Sequence, residues 1–431
     1  MGSFDALGEK PRKLTAVTVP KGAAGPRLVL PALQAALDGT GPAIAPMPDG
    51  PPALVSLLRD AIKPNDVGYP VENNNIAIVA ATSGSTGQPR GVLLSQQALF
   101  ASATAFAQRF GQDARWVLSV PAHRIAGLMV MVRAHLFGNP FDVDPSIGGQ
   151  RTFTAATFAA TTIGAQRKSA DDGRPLMVSL VPTQIARLIE SGAVGIEALQ
   201  AYDVVLSGAA ATPQPLLEKL RVYGINVSIS YGMTETCGGC VFDGRPLDGV
   251  NISLGTKDDV EPGRISISGP VIASGYRLRR DLDAVTFIDG RLVTHDVGKL
   301  DTQNLLHVLG RLDDVVTVGG VNVALSAVEA LIRHHPDIED VAVIDVVDDL
   351  WGSLPVAYVV LRNVNADTAT LTFSIQEAIQ QRIGRAATPR TINFVESLPM
   401  LDSGKVDRLN LRLQAAQDIK LGHVRHPGLS E

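Results

Sequence analysis

The feature that most limits the fold is an alternation that begins at Ile76. Short apolar runs of β character, IAIVAA (76–81), WVLSV (116–120), MVSLV (177–181), VVLS (204–207) and VSIS (227–230), are separated by stretches of helical period. The helices are expected from a Ser95 cap onward, up to Gly138, over 182–190, and over 213–223 with Gly224 closing the last. Short buried strands alternating with helices of about three turns imply a largely parallel sheet covered on both faces. Chemistry then belongs in the loops at the carboxyl ends of the strands.

The flanking stretches read differently. Residues 26–64 have a mild helical period and are expected to be an entry segment packed on the main domain. Between 263 and 310 the helical period disappears, and short runs punctuated by Gly and Asp predict an all-β appendage of hairpins. After Arg311 the runs VVTVGGVNV (315–323), VAVIDVV (341–347), AYVVLR (357–362) and INFVES (392–397) alternate with a helix opened by a capping box, Ser326 to Glu329, and another over 374–383. The expected class is α/β. A large N-terminal domain (1–311) has mainly parallel sheets flanked by helices plus the small β appendage, a hinge covers 312–314, and a smaller α+β domain covers 315–431.

Composition removes several function classes. Lys plus Arg number 38 against 43 Asp plus Glu, a net charge of -5, so no basic footprint for nucleic acid is present. No apolar run reaches the ~18 residues of a membrane span and no apolar signal-peptide core follows Met1, so the chain reads as cytoplasmic. The 2 cysteines, Cys237 and Cys240, cannot close a disulfide scaffold or a four-cysteine zinc site, which leaves packing or a redox pair. His295, His307, His334 and His335 lack metal-ligand spacing.

The richest local signal is Thr82 to Gly91 (TSGSTGQPRG), directly after a predicted strand. Gly84 and Gly87 let backbone N–H groups turn toward one point, Ser83, Ser85 and Thr86 add hydroxyls, and Arg90 adds a cation, as a polyphosphate cradle requires. The same composition suits a flexible surface loop. It is not a Walker A loop, because no Gly-Lys-Ser/Thr follows and Pro89 stands where the helix would begin.

This motif, followed in order by YGMTE (231–235), THD (294–296), GRLDD (310–314), and then Pro399, Gly404, Lys405 and Arg408, resembles the adenylate-forming superfamily of acyl-CoA ligases, adenylation domains and luciferases. Within it, VPAHRIAGL (120–128) and YGMTETCGGC (231–240), followed by Asp243-Gly244 and PLDG (246–249), are similar to the o-succinylbenzoate–CoA ligases of menaquinone biosynthesis in their short actinobacterial form. The resemblance implies ATP, Mg²⁺ and coenzyme A as ligands, and o-succinylbenzoate as the carboxylate. In it Thr82 to Gly87 and Arg90 bind the β- and γ-phosphates, with Arg90 where the family usually has Lys. Ser207, Gly208, Ala209 and Ala210 lie along adenine, and Tyr231 stacks on its other face, followed by Gly232 and Met233. Thr234 bonds the α-phosphate, Glu235 ligates Mg²⁺, Asp296 accepts the ribose hydroxyls, and Arg311 helps to hold them. Lys405 is the catalytic cation, Asp313 the hinge of a mobile small domain, and Gly319 and Gly320 border the pantetheine path.

A second substrate carboxylate needs a cation, and the candidates are His123, Arg124 and Arg133. Arg133 lies on an apolar helix, where it is either the anion partner or a snorkelling residue. Arg124 stands where many relatives have His. Gly238 and Gly239 make space for the aromatic ring. The competing readings are another aryl- or acyl-CoA ligase, a stand-alone adenylating enzyme, or a catalytically silent nucleotide-binding relative. Association into a homodimer is left open.

Overall fold

The computed structural model describes residues 10–82, 89–149, 151–256, 261–348, 351–363, 365–400 and 406–420. Most of the expected phosphate loop (83–88), with Gly404 and Lys405, lies outside the described residues. The chain divides into two compact units. The first takes the described residues up to Ser253, with Ser266–Thr294 and Leu300–Leu306; the second takes those of Leu254–Ile265, His295–Lys299 and the stretch from His307 onward. The second unit therefore begins before residue 315 and includes two earlier segments. Arg311 Nη1 reaches Asp296 Oδ1 at 3.2 Å, an ion pair that ties one of those segments to the new unit.

In the first unit, β1 (Leu14–Val19) and β2 (Ala43–Pro48) flank α1 (Ala24–Leu37), and α2 (Pro52–Ile62) leads to β3 (Ile76–Thr82) and β4 (Arg90–Ser95). The sheet order is β1-β2-β3-β4, parallel until β4 returns antiparallel to β3. Helices α1 and α2 carry the helical period expected over 26–64, β2 between them departs from it, and β4 corrects the expectation of a loop running straight into a helix. Every residue of β2 is buried, yet Pro46 and Pro48 disguise it, because proline lacks the N–H that a strand inside a sheet normally donates.

The second sheet fits the alternation. After α3 (Gln96–Phe110), capped by Ser95 Oγ accepting from the Ala98 N–H at 3.1 Å, come β5 (Arg115–Leu118), α4 (Ile125–Phe137), β6 (Phe141–Val143), α5 (Ala155–Asp172) and β7 (Leu176–Leu180). Then follow α6 (Pro182–Glu190), α7 (Ala193–Gln200), β8 (Val204–Ser207), α8 (Gln214–Val222), β9 (Val227–Met233), β10 (Gly238–Phe242) and β11 (Arg245–Pro246). The order is β11-β10-β9-β8-β7-β5-β6, with β9 through β6 parallel. Val117, Val178, Leu180 and Val205 of the strands meet Phe158, Leu188, Leu199 and Leu220 of the helices in one core.

Downstream, β12 (Asn251–Ser253) pairs antiparallel with the end of β13 (Gly263–Ser268). A short helix, α9 (Arg280–Thr286), precedes β14 (Phe287–Ile288), which pairs with the start of β15 (Arg291–Leu300). The stretch expected to be all β thus contains a helix, and its Asp283 accepts the Tyr276 N–H at 2.7 Å.

In the second unit, β16 (Leu306–Arg311) precedes the hairpin of β17 (Val315–Val318) and β18 (Val321–Ala324), followed by α10 (Leu325–Arg333), β19 (Ile338–Asp348) and β20 (Gly352–Leu361). The rest is α11 (Thr368–Arg382), β21 (Thr391–Val395) and α12 (Arg408–Lys420). Period-two burial puts Val341, Val343, Ala357 and Val359 against α10 and α11, and Ala342, Ile344, Val356 and Tyr358 against Leu411 and Ala415 of α12. No helix among the described residues is long and apolar enough to cross a membrane.

The expected capping box does not form, since α10 starts at Leu325 with no side-chain cap. Glu329 is used elsewhere. It pairs with Arg333 (2.9 Å) and Arg408 (2.6 Å) and accepts the Val343 N–H (3.0 Å), clamping the start of α12 to α10 and β19. Burial alone would raise its carboxyl, but the Arg408 and Arg333 charges bring it below the ordinary value. A depressed carboxylate adds stability that is full above its unfolded value and is lost as pH falls through the folded one. Glu329→Gln should therefore cost roughly 2–3 kcal/mol at neutral pH, both guanidiniums being partly solvated. The deficit should shrink in acid, as thermal melts of the two proteins from pH 7 to pH 3 would read. An equal deficit at every pH would mean that the carboxylate charge is not the source.

Candidate active site

Strand β9 ends at Met233, and one 3₁₀ turn, Thr234–Thr236, carries Glu235. Thr236 Oγ1 accepts the Met233 N–H (2.9 Å) and donates to Gly238 O (2.6 Å), while Cys237, at φ 51°, reverses the chain into β10. The reversal is tight at two glycines, against backbone at Gly232 and against a side chain at Gly239. A Cβ on Gly232 would lie 2.2 Å from Gly238 O, and one on Gly239 would lie 2.2 Å from Ser230 Oγ.

Glu235 is held from outside its own loop. Its backbone oxygen accepts the Ala273 N–H (2.8 Å), and its Oε1 accepts the Tyr276 hydroxyl (2.8 Å). Burial, then the Glu235 charge, pushes the Tyr276 phenol up, so it remains a proton donor at neutral pH. Its ring meets Phe287 edge-on at 5.4 Å, and the Arg90 guanidinium lies 5.6 Å from its centroid. Sequence reasoning missed Tyr276, because a tyrosine after a predicted hairpin carries no catalytic pattern.

Those of the residues expected to bind nucleotide that are described in the first unit lie at or near strand ends. Thr82 and Arg90 face each other across β3 and β4 at the mouth of the undescribed loop. Ser207 closes β8 with its Oγ 2.8 Å from Thr212 Oγ1, Gly208 donates to Leu180 O at 3.2 Å, and Ala209 adopts φ 67°. A Cβ on Gly208 would sit 3.5 Å from Ser230 Cβ, so residues 207–210 lie beside the segment entering Tyr231. In the second unit, Asp296 is buried and paired with Arg311. The backbone of Asp313 lies in a 3₁₀ turn between β16 and β17, and Gly319 and Gly320, both at positive φ, turn the next hairpin beneath the ring of Trp351.

At the other end of Glu235's loop, the nearest side chains to a Cβ on Gly238 would be Met129 (3.5 Å) and Ile125 (3.8 Å) of α4. Arg133 follows Met129 by one turn on the same face. It is 6% exposed, which removes the snorkelling reading. Its guanidinium lies 3.9 Å from the Phe106 centroid and 5.2 Å from that of Trp116, and its Nε has no hydrogen-bond partner among the described residues. Burial pulls it down to about 9, so it stays charged at neutral pH. His123 is likewise buried with Nε2 unpartnered, and burial followed by the Arg124 charge lowers it to about 3, leaving it neutral. Arg124 occupies the N-cap position of α4 without capping it. Cys237 and Cys240 are buried free thiols that burial pushes up, Cys240 to about 12, which favours packing over redox chemistry.

No group of three metal-binding side chains occurs among the described residues. A single carboxylate with one oxygen bonded to Tyr276 and no second side-chain bond among the described residues fits Mg²⁺, which takes one or two carboxylates and completes its shell with phosphate and water.

Comparison with known proteins identifies the family. The family profile for AMP-binding enzymes matches residues 24–277, and that for the AMP-binding enzyme C-terminal domain matches 327–405. A probable 2-succinylbenzoate–CoA ligase of Mycobacterium tuberculosis (strain ATCC 25618 / H37Rv) is 36% identical over 406 residues, covering 92% of this chain and 97% of that protein. The 2-succinylbenzoate–CoA ligase of Bacillus subtilis (strain 168) is 28% identical over 375 residues, covering 83% and 72%. Among solved structures, o-succinylbenzoate CoA synthetase from Bacillus subtilis in complex with its acyl-adenylate intermediate superposes with a TM-score of 0.69 at 23% identity, over 93% of this chain and 88% of that one. With a family profile matched over residues 24–277 and 36% identity to a relative over 92% of its length, the chain belongs to the AMP-binding enzyme family.

Proposed function

We propose that this chain is an ATP-dependent 2-succinylbenzoate–CoA ligase. A substrate carboxylate oxygen attacks the α-phosphorus of ATP, and pyrophosphate leaves with the β- and γ-phosphates. The thiolate of coenzyme A then attacks the acyl carbon of the adenylate, and AMP leaves. Thr82 and Arg90 border the loop that takes the phosphates, residues 207–210 and Tyr231 take adenine, and Thr234 bonds the α-phosphate. Glu235 would hold Mg²⁺, which neutralises phosphate charge when bound. Asp296 and Arg311 take the ribose, and Gly319 and Gly320 the pantetheine arm. Asp313 serves as the hinge between the half-reactions, since domain rearrangement can separate two chemical steps. Asp313→Pro, which fixes φ and removes an N–H, should slow thioester formation more than adenylation in single-turnover assays. Unchanged rates in both steps would exclude the hinge.

The observation that carries the choice of substrate is the buried Arg133 cation beside the Ile125–Met129 face. An aromatic substrate with a second, non-reacting carboxylate would supply the anion this charge lacks among the described residues. Pyrophosphate release measured across a panel of carboxylates, with and without coenzyme A, tests the reading. Release with 2-succinylbenzoate alone and thioester formation only with coenzyme A are expected. A preference for monocarboxylates would overturn the substrate, and no release with any carboxylate would overturn the activity.

A further inference from the structure

Residues 273–277 form a strap laid across two parts of the candidate site. Main-chain bonds tie it to β4 on one side: Leu93 N–H to Gly275 O (2.9 Å), Ser274 N–H to Leu93 O (2.8 Å) and Arg277 N–H to Gly91 O (2.7 Å). On the other side the Ala273 N–H holds the backbone oxygen of Glu235 (2.8 Å). The strap is itself anchored. Arg277 is fully buried, bonded to the carbonyls of Ile62, Tyr69 and Pro70 and paired with Glu72 at 2.9 Å. Asp283 holds the Tyr276 N–H, leaving Gly275 no room, since its Cβ would lie 2.9 Å from that carboxylate.

A rigid strap fixes where its side chains point, and the one that points into the site is Tyr276. Its hydroxyl donates to Glu235 Oε1 while Arg90 lies over its ring. A glutamate on a single 3₁₀ turn has three free side-chain torsions. One short bond to a buried phenol restricts them, and a pre-oriented ligand loses less entropy on binding.

We propose that Tyr276 is a positioning residue that holds Glu235 in the orientation that receives the Mg²⁺ of bound nucleotide. The proposal rests on the ligase reading only in taking Glu235 as the metal-binding carboxylate. Tyr276 touches neither substrate nor reacting atom in this role; it acts through Glu235.

The test is equilibrium binding of ATP by calorimetry, without carboxylate substrate so that no turnover occurs, in Mg²⁺ and in EDTA. Wild-type protein should bind ATP more tightly with Mg²⁺. Tyr276→Phe, which keeps the ring and removes only the hydroxyl, should lose roughly 10-fold or more of that metal-dependent gain, about one lost hydrogen bond to a charged group. Its affinity in EDTA should stay within about twofold of wild type. In adenylation assays the half-saturating Mg²⁺ concentration should rise by the same factor. Glu235→Gln supplies the control, because Tyr276→Phe should have no further effect on the Mg²⁺ gain in that background. An unchanged gain in Tyr276→Phe overturns the proposal. So does an equal loss in Mg²⁺ and EDTA, which would assign Tyr276 to the fold. Failure of wild-type protein to bind ATP at all would overturn the ligase reading instead.

Discussion

Replacing Lys405 with Ala should lower the rate of acyl-adenylate formation by about 10²-fold or more, and largely spare attack of coenzyme A on preformed adenylate. The size follows from the chemistry. Bringing a carboxylate to the α-phosphate joins two anions, and a fixed cation at the oxygen where charge develops contributes about 3–4 kcal/mol. Thioester formation makes no such demand, since a neutral acyl carbon is attacked and AMP departs. Lys405 lies outside the described residues, but the chain on either side is tied down. Met400 bridges Val406, the Asp407 N–H donates to Pro399 O at 2.7 Å, and Arg408 is locked to Glu329. Single-turnover measurement of each half-reaction separates the roles. Equal losses in both would place Lys405 in folding or general binding.

Arg133→Met should raise KM for 2-succinylbenzoate by roughly 10²-fold and leave KM for ATP and coenzyme A within about twofold, since deleting one partner of a desolvated charge pair costs about 2–5 kcal/mol. Methionine keeps most of the stem volume between Phe106 and Trp116, so packing loss alone should be small. Selectivity gives the sharper reading. A benzoylpropionate lacking the ring carboxylate offers nothing for the guanidinium to meet, so its poor turnover in wild type should barely change. If both substrates lose activity by one factor, Arg133 serves the aromatic cluster of Phe106, Phe110 and Phe242, and Arg124 or His123 becomes the candidate.

What the sequence disclosed and what it hid divide along the range of the interaction. Helix α6 matched its predicted span at both ends, because Pro182 at the first turn and an apolar stripe of Ile185, Leu188 and Ile189 are local signals. The residues expected to bind nucleotide form an ordered set of motifs, and the described ones of the first unit lie at or near strand ends. Strand β2 was lost because two prolines outweighed its apolar character. Glu329 was misassigned because its partner Arg408 is 79 residues away, whereas a capping box needs only a four-residue pattern. Tyr276 and Glu235 are 41 residues apart, and the Arg133 side chain packs against an aromatic ring on α3, so neither environment leaves a local trace.

The strap over residues 273–277 also constrains how this stretch can vary in length. Its grip on β4 and on the Glu235 turn is made of main-chain atoms, which nearly any side chain would supply. Substitution at Ser274 therefore leaves the attachment in place. Adding or deleting a single residue does not, because in an extended segment successive side chains face opposite ways. A one-residue slip would turn the position of Tyr276 away from Glu235 and present a neighbour in its stead. At Ser274 the segment thus admits a change of identity, whereas nowhere does it admit a change of count, and the spacing between Ala273 and Arg277 carries as much information as Gly275, Tyr276 and Arg277 themselves.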